Sequence, residues 1–195
     1  MDTLLRQHFR EKMDSYYPIS ANSMEELLNF STLVHLKATE VLIQQGSRSR
    51  QFFFLDTGYM ISYISDEKGR SYNKNIFVQR DWVSSMVSNI MQKPSEFTLK
   101  AVTDCVLISI PYKKFRELIF QKEDLKLFYI HYLEKNWVIE KEEREVSIVM
   151  DDALARYQKL ILRHPDLENY VPLQDIASHL GITPTQLSRI RKQLK

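Results

Sequence analysis

The apolar residues change rhythm twice along the chain. Up to about residue 30 they recur at helical spacing, with Leu4, Leu5, Phe9 and Met13 ahead of a break at Tyr17-Pro18. Ser23-Met24-Glu25-Glu26-Leu27-Leu28 predicts a second, short helix, opened at Ser23 by the Ser-x-x-Glu spacing of a capping box. From Ser31 to Ile110 short apolar runs alternate with turns. The runs are Val41–Ile43, Gln51–Leu55, Met60–Ile64, Asn75–Val78, Phe97–Val102 and Val106–Ile110. The turns include Gln45-Gly46-Ser47, Asp56-Thr57-Gly58 and Asp66-Glu67-Lys68-Gly69-Arg70. Many short strands with regularly placed turns predict a sandwich or barrel.

Beyond Tyr112 the pattern is helical again. Tyr112 to Phe120 predicts one helix, and Leu125 to about Met150 a long one free of Gly and Pro. Glu140 and Arg144, and Lys141 and Glu145, stand at i, i+4 spacing in it. It also carries Leu125, Phe128, Tyr132, Leu133, Trp137, Ile139, Val146 and Val149, more large side chains than a solvated helix needs. One face is expected to pack on the β region and another on the same helix of a second chain; packing within the monomer alone is the alternative. Asp151-Asp152 starts a further helix, Ala153 to Arg163, ended by His164-Pro165.

The last two dozen residues have the spacing of a helix-turn-helix. Ile176, Ala177 and Leu180 form one inward stripe, and Gly181 follows where a sharp turn needs positive φ. Ile182 plugs the turn, Thr183 is placed as an N-cap and Pro184 as the first helical residue. Leu187, Ile190 and Leu194 return as the buried face of a second helix. The other face carries Thr185, Gln186, Ser188, Arg189 and Lys192, side chains able to donate to base edges and phosphates.

The charge balance confines that role to one place. The 195-residue chain has a net charge of only +2, so it is no polycation that coats nucleic acid. The basic surface is local: Arg189, Arg191, Lys192 and Lys195, with Asp175 the only acid from Val171 onward. One cysteine, Cys105, sits in the apolar run Cys105-Val106-Leu107-Ile108 and reads as a buried strand thiol. An intrachain disulfide framework and a cysteine-ligated cluster are excluded. His8, His35, His131, His164 and His179 are scattered without metal-ligand spacing. The N-terminal segment reads as an amphipathic helix, not a signal peptide, and no apolar stretch approaches membrane-spanning length. The cytoplasm is the expected compartment, with no membrane partner. An enzyme on a cupin-like barrel would need clustered His and Glu metal ligands, and residues 40–110 contain no histidine. No catalytic constellation is visible.

A β-rich front, a long helix and a C-terminal helix-turn-helix, in this order, resemble the Crp/Fnr-type transcription regulators over nearly the whole chain. Glu40–Gly46 resembles the strand and turn that open the family's cyclic-nucleotide-binding β-roll, and Phe53–Met60 its next strand. Ala153–Tyr157, His164–Leu167 and Val171–Ala177 resemble its DNA-binding end, in the short form common in Bacteroidota. The resemblance implies an α+β protein in three parts. Residues 1–120 would be an antiparallel β-roll sensor with flanking helices, 121–150 a long dimerisation helix, and 151–195 the helix-turn-helix.

Two departures from the family pattern qualify it. Nucleotide-binding members have a Gly-Glu pair in the phosphate cassette and an arginine soon after a proline. Here Ser84 and Ser85 stand in place of the pair, within Arg80–Met86, and Ser95 after Pro94 stands in place of the arginine. Serine carries no charge for a buried phosphate, so no ordinary cyclic-nucleotide response and no cofactor are expected. The pocket either binds another small molecule through Trp82, Ser84, Ser85 and Ser95 or is an empty scaffold; the aromatics Phe52, Phe53, Phe54, Phe77 and Trp82 read more readily as core. At the other end the family's best-known members add a β-hairpin wing after the recognition helix, which is not expected here, and Pro184 and Thr185 stand where they offer Arg and Glu to bases. Arg189 matches their later arginine and is the expected guanine contact, with Gln186 next. Ser188, Lys192, Thr183 and Thr185 are expected on phosphates, and Arg191 faces either the protein or the DNA backbone. The expected partners are double-stranded DNA, a second copy of the chain and, through the resemblance, RNA polymerase. The competing expectation is a ligand-sensing roll that acts through a protein partner, with a vestigial helix-turn-helix.

Overall fold

The computed structural model describes residues 2–66 and 71–194. Most of the expected turn at 66–70, and the terminal Lys195, therefore lie outside the described residues. The chain begins with α1 (Thr3–Asp14) and α2 (Ala21–Asn29). Eight strands follow among the described residues: β1 (Thr32–Leu36), β2 (Val41–Ile43), β3 (Gln51–Thr57), β4 (Met60–Ser65), β5 (Ser71–Phe77), β6 (Asp81–Val83), β7 (Thr98–Ala101) and β8 (Cys105–Pro111). A short helix, α3 (Met86–Met91), lies between β6 and β7. The strands form two antiparallel sheets, ordered β1-β8-β3-β6 and β2-β7-β4-β5. They face each other across Ile43, Phe53, Leu55, Met60, Phe77, Val83, Leu99, Ala101, Cys105 and Leu107, the filled interior of the roll.

Strand β3 explains why the sequence reads as a continuous apolar run. Side chains alternate between the faces of a strand, and here both faces are covered. Phe53 and Leu55 point into the roll. Phe52 and Phe54 point outward into a second core built with α1, α2, α4 (Tyr112–Gln121) and α5 (Glu123–Leu133). Leu5, Phe9 and Met13 make the buried stripe of α1, while Leu4 is 60% exposed, contrary to its place in the predicted stripe. The cap of α2 is also corrected. Ser20 Oγ accepts the Ser23 N–H at 3.1 Å, whereas Ser23 is buried and its hydroxyl donates to Asp124 Oδ1 at 2.9 Å, tying α2 to α5.

The long helix is one path with a wide turn in it. After α5 come a π segment (Glu134–Ile139) and α6 (Glu140–Met150). Asn136 Nδ2 donates to the Tyr132 carbonyl at 2.8 Å, and to Tyr16 Oη at 3.0 Å. A side chain thus occupies the carbonyl that an α-helix gives to the backbone N–H four residues on, a local reason for the wider turn. The predicted uninterrupted α-helix misses this, because the competition depends on Tyr16 from α1.

The described residues end in four helices: α7 (Ala153–Arg163), α8 (Leu167–Tyr170), α9 (Leu173–His179) and α10 (Pro184–Gln193). Tyr157, Leu167, Val171, Ile176, Ala177, Leu180, Leu187 and Ile190 form their core. Tyr59, Ile76, Val78 and Val102 of the roll pack against it, and the Tyr59 and Tyr170 rings stack at 4.7 Å.

Candidate nucleic-acid interface and ligand cassette

The turn between α9 and α10 follows from Gly181. Its φ of +69° reverses the chain. The Ile182 N–H donates to the Ala177 carbonyl at 3.0 Å and the Gly181 N–H to Ser178 at 3.2 Å. This pair of bonds closes a Schellman C-cap, satisfying carbonyls that the helix end leaves open. Thr183 then caps α10: its Oγ1 accepts the Gln186 N–H at 3.1 Å. Pro184 occupies the first helical position. Leu187 and Ile190 face the core.

The opposite surface of α10 is open. Thr183, Thr185, Gln186, Ser188, Arg189 and Lys192 are all exposed. Thr185, Ser188, Arg189 and Lys192, at i, i+3, i+4 and i+7, make one stripe along it. Arg191 parts from them. It is half-buried, and its Nε lies 2.9 Å from Glu168 Oε1 in an ion pair. The same oxygen accepts the Tyr157 hydroxyl at 2.8 Å. The guanidinium therefore fastens α10 to α7 and α8 from within, one of the two orientations that the sequence left open.

The cassette divides its expected residues. Ser85 and Ser95 come together: their hydroxyl oxygens share a hydrogen bond of 2.8 Å. Ser95 Oγ also lies 2.7 Å from the Phe97 carbonyl. Its backbone is fixed against the turn before β3, donating to the Ser47 carbonyl at 2.7 Å and accepting from Gly46 at 2.8 Å. Ser84 turns elsewhere, accepting from Asn89 Nδ2 at 2.8 Å and donating to the Gln51 carbonyl at 3.3 Å. Trp82 must be removed from the expected pocket. It points out of the roll into the helical core, where its indole stacks on Phe52 at 4.6 Å and meets Phe9 edge-on at 5.7 Å. The pleat decides this: Val83 takes the inward position and Trp82 the outward one.

Cys105 is buried in β8, and burial pushes its thiol pKa up. No cluster of three or more potential metal-ligating His, Cys, Asp and Glu side chains occurs among the described residues. No helix among them is long and apolar enough to cross a membrane. The long helix keeps a different unpartnered surface. Val138, Ile139, Val146, Ile148, Val149 and Met150 are all more than half exposed.

No local pattern indicates where the α9–α10 pair sits on the roll. Asn73 of β5 is the centre of that contact. Its side-chain amide donates to the Asp175 carbonyl at 3.1 Å and to Asp175 Oδ1 at 3.0 Å. Its N–H donates to Ser178 Oγ at 3.0 Å, and its carbonyl lies 3.3 Å from His179 Nδ1.

Residues 33–122, most of the roll and its closing helix, match the cyclic nucleotide-binding domain family. That match covers the roll; the long helix and the terminal helix pair lie beyond it. The cAMP-activated global transcriptional regulator CRP of Salmonella typhimurium is 22% identical over 190 residues, covering 91% of this chain and 89% of that protein. Among solved structures, FixK2 from Bradyrhizobium japonicum superposes with a TM-score of 0.68 at 16% identity, over 84% of each chain. The c-di-GMP responsive global regulator CLP of Xanthomonas campestris gives 0.64 at 16% identity, over 90% of this chain and 91% of that one. These two share the fold.

Proposed function

We propose that this chain is a sequence-specific DNA-binding transcription regulator that works as a homodimer and does not answer to cyclic nucleotides. The observation that carries the reading is the exposed stripe of α10, capped and held rigid from behind while its donors face outward. Arg189 is the guanine reader, since its guanidinium presents two parallel donors to O6 and N7. Gln186 reads the neighbouring base. Thr183, Thr185, Ser188 and Lys192 hold phosphates, and Arg191 orients the helix through Glu168. The apolar residues left exposed on α6 pair with the same helix of a second chain. The inverted repeat that such a dimer reads has half-sites about one DNA turn apart. The division into roll (1–120), dimerisation helix (121–150) and DNA reader (151–195) follows that reading. So do a cytoplasmic location, RNA polymerase as the downstream partner and the absence of any catalytic role.

The cyclic-nucleotide half of the proposal rests on the cassette. Ser85 and Ser95 bond to each other where the family resemblance puts a carboxylate and an arginine. A buried cyclic phosphate would lose its charge-assisted partner there. The relative named as cAMP-activated therefore shares the scaffold and not the trigger.

The test is an anisotropy titration of the chain against sheared genomic DNA, over a salt series with random-sequence competitor. Affinity falls steeply with salt while a subset of fragments resists competition. Arg189→Ala relaxes one base position per half-site, at about 1–3 kcal/mol each. Added cAMP changes neither curve. Equal competition by any DNA, or none bound at all, would refute the DNA-reading proposal and turn attention to a protein partner of the long helix.

A further inference from the structure

Strand β5 is the outer strand of its sheet, and its pairing with β4 is irregular. Ser62 pairs with Asn75 and Tyr63 with Asn73, so Lys74 is an extra residue, a β-bulge. A bulge re-aims the side chains beside it and frees backbone groups from the ladder. Both consequences are used. Asn75 Oδ1 accepts Arg144 Nη1 of α6 at 2.9 Å, and the Lys74 carbonyl accepts Arg144 Nη2. Asn73, only 1% exposed, turns to α9 and spends its N–H, its carbonyl and its side-chain amide there. Ser178 Oγ returns a bond to the Ser71 carbonyl at 3.2 Å. One bulged edge thus joins the roll, the long helix and the first helix of the α9–α10 pair. The exposed stripe of α10 takes no part in this docking, so the contact fixes the helix pair without covering its outer face.

We propose that the bulged edge strand β5 is a latch, with Asn73 as its positioning residue, that holds the α9–α10 pair in one orientation on the roll. Its consequence for DNA rests on the regulator reading above. A dimer engages two half-sites at once only if both recognition helices keep one separation and angle. Freeing the orientation lowers the effective concentration of the second reader and leaves the single-site contact intact.

The test uses the full chain with Asn73→Asp, which sets a carboxylate against Asp175 Oδ1 and the Asp175 carbonyl and removes two donors. The double variant Asn73→Asp with Asp175→Asn restores one amide–carboxylate pair with its roles exchanged. Ser178→Ala is the milder companion. The first readout is hydrogen exchange of the Asn73 amide, whose acceptor is Ser178 Oγ. Asn73→Asp and Ser178→Ala speed exchange at residue 73 at least tenfold, while amides in β3 and β8 keep their protection, and the double variant slows it again. The second readout compares a fragment retained in the genomic selection with the same fragment carrying one scrambled half-site. Asn73→Asp weakens the intact site at least tenfold and the scrambled one less than twofold. Unchanged exchange at residue 73, or no recovery in the double variant, overturns the latch whether or not the chain binds DNA. Equal or tighter binding of the intact site by Asn73→Asp overturns its role in orienting the readers. Absence of DNA binding by the wild-type chain counts against the regulator reading alone, because the exchange measurement still decides the latch.

Discussion

Replacing Gly58 with alanine isolates a steric term that the fold makes unusually clean to measure. Gly58 ends the turn between β3 and β4 with φ +99°, and a Cβ built there would lie 2.5 Å from the Asp104 carbonyl oxygen and 2.6 Å from Cys105 Sγ. Neither neighbour is the loose end of a flexible chain. The carbonyl is backbone, and the buried thiol packs in the roll interior. Gly46 is the natural control, since its φ is +85° and nothing lies within 4 Å of its Cβ position. Both substitutions meet the same left-handed strain of about 1–2 kcal/mol, offset by about 0.4–1 kcal/mol from a stiffer unfolded chain. Only Gly58→Ala adds overpacking, about 1–3 kcal/mol. Gly46→Ala should therefore cost about 1 kcal/mol and Gly58→Ala about 2–4 kcal/mol. Equilibrium unfolding in urea, followed by tryptophan fluorescence, gives both values from midpoints at a common slope. Equal cost for the two variants would refute the claim that the β3–β4 turn is closed against residues 104–105. The clash also reaches the domain contact, because Tyr59 follows directly and stacks on Tyr170. A displaced turn should loosen that stack, seen as faster exchange in α8.

Three further outcomes follow from particular side chains. Leu187 is fully buried under α10, so Leu187→Ala leaves a cavity worth about 2–5 kcal/mol; hydrogen exchange should rise through α9 and α10 while the roll keeps its protection, and a uniform rise would contradict a separate core there. Burial lowers the His179 pKa from 6.5 to about 4, with Arg144 and His164 adding to the push and hydrogen bonds to the backbone of Asn73 and Lys74 opposing it. The unfolded chain takes up that proton first, so the contribution is intact above pH 6.5 and is lost progressively toward pH 4, by up to about 3 kcal/mol; His179→Gln should flatten this part of the unfolding profile, and an unchanged slope would show His179 exposed. The Cys105 thiol, buried and with its pKa raised, should react with a maleimide only as fast as the chain opens, so fast labelling under native conditions would contradict its burial.

Local chemistry made the ends of this protein legible from its residues. Gly181, Thr183 and Pro184 prescribe a turn, a cap and a helix start by their own backbone preferences, and the structure has all three. The alternation of strands and turns from Ser31 to Ile110 likewise reflects a period that each segment carries in itself. Strand β6 and helix α3 escaped notice because Asp81–Val83 and Met86–Met91 are too short for a period to show. Ser23 looked like a cap because its spacing to Glu26 is right, yet its hydroxyl is claimed by Asp124, 101 residues away.

Local pattern was enough to place most of the longer strands and helices and the face of α10 that carries donors, since these depend on neighbours within a few positions. Tertiary structure alone decided three other things. It sent Trp82 into the helical core, because only the pairing of β6 with β3 settles which side of the sheet each residue faces. It turned Arg191 inward, because Glu168 and Tyr157 meet behind α10. And it docked α9 on a bulged edge strand through Asn73, a contact across about a hundred residues that no local preference encodes. Hydrogen bonds and packing between distant segments carry no period along the chain, so they become visible only once the chain has folded.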